Sequence, residues 1–391
     1  MRAALISIAG QPRNAAGDAP LAVAGRSLAL RQLDLARAAG CERIIGFGGG
    51  AGGDALALQH AAEDAGLRFQ SIGGAHGLLG AVRAADELLV LAPGLFAEDR
   101  RGLEQLRRGG GVLTLPAGPA IAAGFERIDL ERAWAGALLV PGGLVERLAD
   151  LPDDSNPFAA LLRIGLQARL PERALSEEVL VEGSWSLPRS DKDARDLEDS
   201  WLDRHQSRGP SSSLAGSAAL LLLRPLAGQL LARPRALPGA LGLTGLAIAA
   251  AAGAAAAGFP AVGFLLLAMG AVGMPFCAGL AQLNAAPFGQ ARTAPVLVLE
   301  RLLDLSLAVC GASAIEGGAL HALFPPLVLV ASLHAVNPGS AKPPVSLLGD
   351  RAVLSLFLAS AAAFGLAEAA LMLLALAVLA FGVVARWRNS G

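Results

Sequence analysis

Six apolar segments follow one another in the second half of the chain, and they constrain the fold more than any other feature. They are predicted at residues 241–257, 261–281, 296–314, 319–335, 352–366 and 369–384. A helix that crosses the roughly 30 Å hydrocarbon core of a bilayer needs about 20 residues, so several of these segments are near the short end. The pattern predicts an all-α, six-helix transmembrane domain whose partner is the lipid bilayer.

Basic residues occupy alternate loops of this region. They lie before the first segment, after the second and the fourth, and in the C-terminal tail, at Arg233, Arg235, Arg292, Lys342, Arg351, Arg386 and Arg388. This positive-inside pattern predicts a multi-pass protein of the inner (cytoplasmic) membrane with both termini cytoplasmic. The preceding segment, 214–231, is interrupted by Arg224 and Pro225, which predicts an amphipathic helix that lies along the interface and does not span it.

The first half of the chain alternates short apolar runs with helical patterns. Strands are predicted at 3–9, 43–47, 67–72 and 87–91, and helices at 27–39, 54–65 and 78–85. This alternation predicts a parallel sheet covered by helices. Asp54 is the predicted N-cap of the second helix. The Gly-rich run before it lacks the lysine and the spacing of a phosphate-binding loop, so it is interpreted as a turn.

Charge and cysteine content argue against two kinds of site. The chain has 32 Lys and Arg residues against 33 Asp and Glu residues, so its net charge of −1 does not favour a nucleic-acid partner. Cys41, Cys277 and Cys310 are far apart and form no CxxC, which argues against a disulfide or a zinc site. No cofactor is expected on these grounds.

Residues 3–48 resemble the N-terminus of sugar-phosphate nucleotidyltransferases. The first strand is followed by Ala-Gly-Gln-Pro-Arg at 9–13 and by Val-Ala-Gly-Arg at 23–26, before the first helix. Leu21 stands where the family has a lysine, and Ala-Pro-Gly at 92–94 stands where it has a metal-binding aspartate. The resemblance implies a Rossmann-like α/β domain of nucleotidyltransferase type, and the two departures predict that it does not transfer a nucleotide.

The polar stretch at 184–213 has the composition of a linker. Within it, Trp201, Arg204 and Arg208 match a motif that precedes the membrane domain in CDP-alcohol phosphotransferases fused to nucleotidyltransferase domains, and the stretch resembles that motif. A basic segment held at an anionic bilayer surface has the same composition without being part of an enzyme. The two interpretations are compatible.

The six-helix region resembles the membrane domain of the same phosphotransferases. In that family, four aspartates on the second and third helices bind two divalent metal ions, which hold the pyrophosphate of the CDP-alcohol. Aligned on this chain, the signature has no acid at any of the four positions, and a glutamine replaces its arginine. These degraded positions are Met274, Cys277, Gln282, Thr293 and Leu297.

Glu300 and Asp304 are the acids that follow the degraded motif. Four residues apart on a helix, they share one face. An acid at the centre of a membrane helix costs roughly 2.5–3.5 kcal/mol, so it calls for a partner or a function. One interpretation is a surviving half of a metal site. The other, which their position about two helical turns beyond the family's aspartates favours, is an ion-pair cluster neutralised by Arg301 and by groups on neighbouring helices.

The resemblance implies three regions along the chain. They are a cytosolic nucleotidyltransferase-like domain at 1–183, a linker and juxtamembrane motif at 184–213, and an interfacial helix with the six-helix membrane domain at 214–391. Because both catalytic motifs are degraded, we predict a non-catalytic partner or binder in polar-lipid biosynthesis. Its implied partners are a second copy, an active homologue or a lipid ligand. The alternatives are an active transferase with a diverged site for Mg or Mn, and a lipid carrier.

Overall fold

The computed structural model describes residues 1–17, 19–48, 52–206, 213–233, 235–285, 288–289, 294–335 and 349–389, with the backbone alone at 206, 335 and 381–389. The chain divides into two compact units, Met1–Leu202 and Asp203–Gly391. The first unit is a mixed α/β unit, and the described part of the second is helical.

The four predicted strands and three predicted helices of the first unit are all present, with shifts at their ends. The strands are β1 (Arg2–Ser7), β2 (Ala22–Val23), β3 (Arg26–Ser27), β4 (Arg43–Phe47), β5 (Arg68–Ile72), β6 (Glu87–Leu91), β7 (Phe96–Ala97), β8 (Gly111–Pro116), β9 (Glu126–Arg127), β10 (Arg132–Pro141), β11 (Glu172–Ala174) and β12 (Trp185–Ser186). The helices are α1 (Leu28–Ala38), α2 (Gly53–Asp64), α3 (Gly77–Ala81), α4 (Arg100–Arg107), α5 (Ala117–Ala122), α6 (Gly142–Val145), α7 (Pro157–Gln167), α8 (Glu178–Val181) and α9 (Asp191–Gln206), with a 3-10 helix at Glu146–Asp150.

The main sheet has the strand order β11-β8-β10-β6-β1-β4-β5, with β9 paired to β10. The neighbours β6, β1, β4 and β5 are parallel, which confirms the predicted Rossmann-like arrangement for this half of the sheet. Strand β10 lies antiparallel between β6 and β8, so the sheet as a whole is mixed. The sequence did not indicate this pairing, because β10 and β6 are far apart along the chain.

The centre of the sheet is apolar along its whole length. Ala4, Leu5 and Ile6 of β1 are fully buried, and so are residues 88–91 of β6. Strands covered on both faces have this composition. Since β1, β4 and β6 run in the same direction, the loops that follow them meet at one edge, where open α/β sheets bind their ligands.

Helix α9 packs onto the first unit through a buried aromatic side chain. Trp201 is fully buried, and the Arg31 guanidinium lies 4.5 Å from the centroid of its ring. Arg31 also forms a 3.1 Å ion pair with Glu98. Burial lowers the pKa of Arg31 from its ordinary value, and the Glu98 carboxylate opposes that shift. Although residues 191–206 have the composition of a linker, they form helix α9, which the burial of Trp201 anchors.

All six predicted apolar segments of the second unit are helical. Its helices are α10 (Leu214–Leu231), α11 (Ala236–Ala256), α12 (Pro260–Ala285), α13 (Ala294–Ser313), α14 (Ala319–Ala335), α15 (Arg351–Ala363) and α16 (Ala367–Asn389).

Within the described residues, α10, α11 and α12 are long and apolar enough to cross a membrane. Helix α10, which was predicted to lie along the interface, is a single helix through Pro225, and its length and composition would also suit a span. The apolar parts of α14, α15 and α16 are shorter, at 10–17 residues. Helix α13 has 20 residues and carries three charged side chains, those of Glu300, Arg301 and Asp304.

Glycines let α11 and α12 approach closely. A Cβ atom at Gly263 would lie 2.9 Å from the Ala251 carbonyl oxygen. One at Gly273 would lie 2.6 Å from Oγ1 of Thr244. Small residues at helix contacts are the usual means of close packing in membranes, where van der Waals contact replaces the hydrophobic effect.

Candidate functional site

Two glutamines join the loops that follow β1 and β6. Gln11 Nε2 donates to Gln32 Oε1 at 3.3 Å, and Gln11 Oε1 accepts from the Gly94 N–H at 3.1 Å. Gln32 Nε2 donates to the carbonyls of Ala92 at 2.8 Å and Leu95 at 3.1 Å. Both glutamines are buried. Neutral amides therefore hold the sheet edge where a ligand of this fold class would approach.

The same two loops also touch directly. A Cβ atom at Gly94 would lie 2.9 Å from Cδ of Pro12, so the backbone at 92–94 packs against the loop after β1. This is the position where the nucleotidyltransferase resemblance places a metal-binding aspartate. Leu21, at the position of the family's lysine, is buried in the core. Neither position presents a charged group to a nucleotide.

Arg13 folds back onto its own loop and onto α2. Its Nε donates to the Gly17 carbonyl at 2.8 Å, and its Nη1 lies 3.1 Å from Oδ2 of Asp54. The prediction that Asp54 is the N-cap of α2 is wrong. Gly52 occupies that position, and Asp54 lies in the first turn, where an acid still interacts favourably with the helix dipole.

A pocket of about 390 Å³ lies beside this edge, next to Ala92 and Pro93. Its wall combines three aromatic rings with three polar side chains: Phe125, Trp134, Phe158, Glu126, Asn156 and Arg189. The side chain of Asn156 accepts from the N–H groups at the start of α7, and Arg189 Nη2 donates to the Gly124 carbonyl at 2.6 Å. Aromatic walls with a few polar groups suit a small organic ligand.

In the second unit, Glu300 and Asp304 converge on one arginine. Arg351 Nε donates to Asp304 Oδ1 at 2.7 Å, and its Nη2 donates to Oδ2 at 3.2 Å. The same Nη2 lies 3.3 Å from Oε1 of Glu300. Asp304 is only 4% exposed. Two-point guanidinium–carboxylate pairs are among the strong hydrogen-bonded contacts. N–H donors therefore occupy the Asp304 oxygens that a metal ion would need.

One interpretation of the sequence paired Arg301 with these acids. In the structure, Arg301 forms no ion pair with Glu300 or Asp304. Its Nη1 instead contacts Nε2 of His334, at the end of α14. His334 Nδ1 donates to the Val330 carbonyl at 3.0 Å, so in the neutral ring Nε2 accepts from Arg301. His334 Nε2 also lies 3.3 Å from Oδ2 of Asp304. Arg301, His334 and the two acids thus lie together, and Arg351 makes the direct ion pairs with both acids.

The first two degraded positions lie in apolar packing. Met274 is partly buried against the core of the second unit. Cys277 is fully buried, and its Sγ lies 3.5 Å from Oγ1 of Thr244 on α11. The close α11–α12 contact therefore occupies the region where the resemblance places the first two metal ligands.

The remaining degraded positions are dispersed. Gln282 Nε2 donates to the His205 carbonyl at 3.1 Å, and Leu297 lies on an exposed face of α13. Thr293 lies outside the described residues, as does Arg208 of the juxtamembrane motif. Among the described side chains, no group of three or more His, Cys, Asp or Glu residues is placed to hold a metal ion.

The juxtamembrane motif is divided between the two units. Trp201 belongs to the packed interior of the first unit, whereas Arg204 is half-buried and falls in the second. The Arg224 guanidinium, on α10, pairs with Asp203. The tryptophan of the motif therefore contributes to the core of the α/β unit.

Asp350 is a buried acid that was not predicted as a site residue. Its Oδ1 accepts from the Ala352 N–H at 2.9 Å, which caps α15. Its Oδ2 accepts from the Ala215 N–H at 2.8 Å, in the first turn of α10. An aspartate just before an apolar helical segment is an N-cap signal that could have identified the first contact. Nothing local could have identified the second.

Cys41 does not offer a reactive thiol. It is buried at the end of the loop after α1, and burial raises the pKa of its thiol to about 12. The thiolate, which is the nucleophile and the metal ligand, is therefore scarce at neutral pH.

Comparison with known proteins finds similarity of fold among solved structures. No protein-family model and no curated protein matches the sequence. The chain is similar to a solved structure of UDP-glucose pyrophosphorylase from Acinetobacter baumanii, over 57% of this chain and 99% of that one, with 13% identity and a TM-score of 0.40. A likeness at this level carries no argument about ligand or activity.

Proposed function

We propose that this chain is a membrane-embedded, non-catalytic descendant of fusions between a nucleotidyltransferase and a CDP-alcohol phosphotransferase. In this proposal it is a multi-pass protein of the inner membrane with both termini cytoplasmic, and it acts as a partner or binder in polar-lipid biosynthesis. The observation that carries the proposal is the two-point contact of Arg351 with Asp304.

That contact opposes metal binding on energetic grounds. A divalent ion at Asp304 would have to displace Arg351, leaving a largely buried guanidinium without its carboxylate. Breaking a buried ion pair by removing one partner costs about 3–5 kcal/mol. A metal site would need further acids to compensate, and the degraded positions Met274 and Cys277 offer none.

The first unit supports the same proposal independently. Nucleotidyl transfer needs cations held against a triphosphate, whereas Gln11 and Gln32 present only neutral amides at the sheet edge. The pocket beside that edge remains large enough for a small ligand. Binding without transfer is therefore the chemistry that this unit supports best.

The test is thermal stability of the purified full chain in detergent. CTP or a CDP-alcohol would be added with and without Mg²⁺ or Mn²⁺. We expect no metal-dependent stabilisation in the wild type, because the Asp304 oxygens are already engaged. Lipids that co-purify would be identified by mass spectrometry, since a binder in a lipid pathway should retain one.

Three variants separate the proposal from its alternative, an active transferase with a diverged metal site. Glu300→Gln and Asp304→Asn change the candidate acids, and Glu368→Gln changes an exposed acid of the same unit that pairs with His321. Metal-dependent stabilisation that is lost in the first two variants but kept in the third would overturn the non-catalytic proposal.

A further inference from the structure

The exposed face of α13 carries one cation in an apolar stripe. Leu297, Val298, Leu302 and Leu305 are 44–61% exposed, and Arg301 lies among them on the same face and is itself exposed. Residues with spacings of four and eight share one side of a helix. In a membrane this stripe contacts acyl chains, so its arginine needs an anion within reach.

Among the described residues, no acid makes a direct ion pair with Arg301. Asp304 and Glu300 pair with Arg351, Asp203 pairs with Arg224, and Asp350 accepts backbone N–H groups. Glu368 pairs with His321, at the other end of α14 from His334, and Glu316 follows the C-terminal end of α13, far from Arg301 along that helix. The undescribed segments of the second unit contain no Asp or Glu. The described contact of Arg301 is with the His334 ring, whose Nε2 also lies 3.3 Å from Oδ2 of Asp304, so the nearest carboxylate lies across that ring and is already engaged by Arg351.

The position of Arg301 suits the membrane surface. It is the eighth residue of α13, about 10 Å along the axis from Ala294 at 1.5 Å per residue. Helical side chains lean toward the N-terminus of their helix, so the arginine extends toward the nearer end. His334, in the last turn of α14, and Arg351, in the first turn of α15, lie beside the same end of α13. Long basic side chains reach the headgroup layer in this way.

We infer that Arg301, oriented by His334, binds the phosphate of an anionic phospholipid whose acyl chains lie along the stripe of Leu297, Val298, Leu302 and Leu305. The planar guanidinium suits a phosphate because it can donate two parallel hydrogen bonds. This inference rests on the proposed membrane placement of α13, and it is independent of the proposed loss of catalysis.

The experiment uses the full chain in nanodiscs of phosphatidylcholine doped with phosphatidylglycerol. Bound lipid is counted by native mass spectrometry across a phosphatidylglycerol titration. We expect the wild type to retain phosphatidylglycerol over phosphatidylcholine, and Arg301→Gln to lower its apparent affinity about fivefold, the effect of one basic residue near the surface. Arg224→Gln is the matched control, because it removes an exposed arginine that already has a carboxylate partner.

Three results would overturn the inference. They are unchanged affinity in Arg301→Gln, equal losses in Arg301→Gln and Arg224→Gln, and displacement of the lipid by inorganic phosphate. If Arg301→Gln does not fold, the lipid preference of the wild type becomes the test. A wild-type protein that shows no preference for phosphatidylglycerol contradicts the proposed site. A nanodisc-stable protein without that preference would leave the membrane placement intact, so the two failures are distinguishable.

Discussion

The two units satisfy their polar groups in different ways at the places where chemistry is expected. In the first unit, the neutral side chains of Gln11 and Gln32 hold the sheet edge. In the second, the charged Asp304 and Arg351 join helices α13 and α15. Neutral amides lose one or two hydrogen bonds when a partner is removed, whereas a buried ion pair loses its charge balance. The second unit should therefore be the more sensitive to single substitutions.

The largest effect is expected at Arg351. Arg351→Gln leaves Asp304 buried with its charge uncompensated, which should lower the free energy of unfolding by about 3–5 kcal/mol. The measurement is denaturant unfolding of the full chain in detergent micelles. Arg224→Gln, in an exposed pair, should cost less than about 1 kcal/mol. Similar costs for both arginines would mean that burial of the Asp304–Arg351 pair does not set its contribution to stability.

Asp350 should rank next. Asp350→Ala removes the carboxylate that accepts from the N-terminal N–H groups of both α15 and α10. Because two caps are lost, we expect the free energy of unfolding to fall by about 2–3 kcal/mol. Asp350→Asn keeps one carbonyl oxygen as an acceptor, so its free energy of unfolding should fall by about half as much. The same unfolding assay measures both variants, and equal losses would mean that a single contact matters.

Gln32 tests the first unit. Gln32→Met removes one hydrogen-bond partner from the Leu95 carbonyl and one from the Gln11 amide. We expect this to lower the free energy of unfolding by about 2 kcal/mol. Gln59→Met changes a half-exposed glutamine on α2 and should be nearly neutral. Hydrogen exchange of the first unit reports the difference. A loss larger than that of Arg351→Gln would invert the comparison.

The smallest effect is expected at Asp86 and depends on pH. The Arg83 N–H donates to its carboxylate at 3.1 Å and lowers its pKa below the ordinary 3.8, helped by the N-terminal ammonium group at 3.2 Å. The stabilisation is therefore present above about pH 4. It is lost as the pH falls through the lowered pKa. Asp86→Asn should cost less than about 1 kcal/mol at pH 6, and the difference from the wild type should shrink on acidification. A difference that does not depend on pH would contradict this assignment.

Local patterns predicted the elements, whereas long-range contacts decided the site. The strands β1, β4, β5 and β6 and all six apolar helices could be predicted, because hydrophobic periodicity is local. The shared face of Glu300 and Asp304 could also be predicted from their spacing. The choice of Arg351 as their partner could not, since it lies on another helix and competes with the adjacent Arg301. Trp201 was misjudged for the same reason, because a polar composition conceals burial against Arg31.

The double cap at Asp350 has a consequence for the order of assembly during synthesis. Its Oδ2 reaches the first turn of α10 across 135 residues of chain. A ribosome adding about 5–20 residues per second needs roughly 7–27 s to make that stretch. Throughout that interval the Ala215 N–H has no Asp350 carboxylate to bind, because Asp350 is synthesised only just before α15 begins. We expect the arrangement of the first helices to remain adjustable until then and to become fixed in one late step.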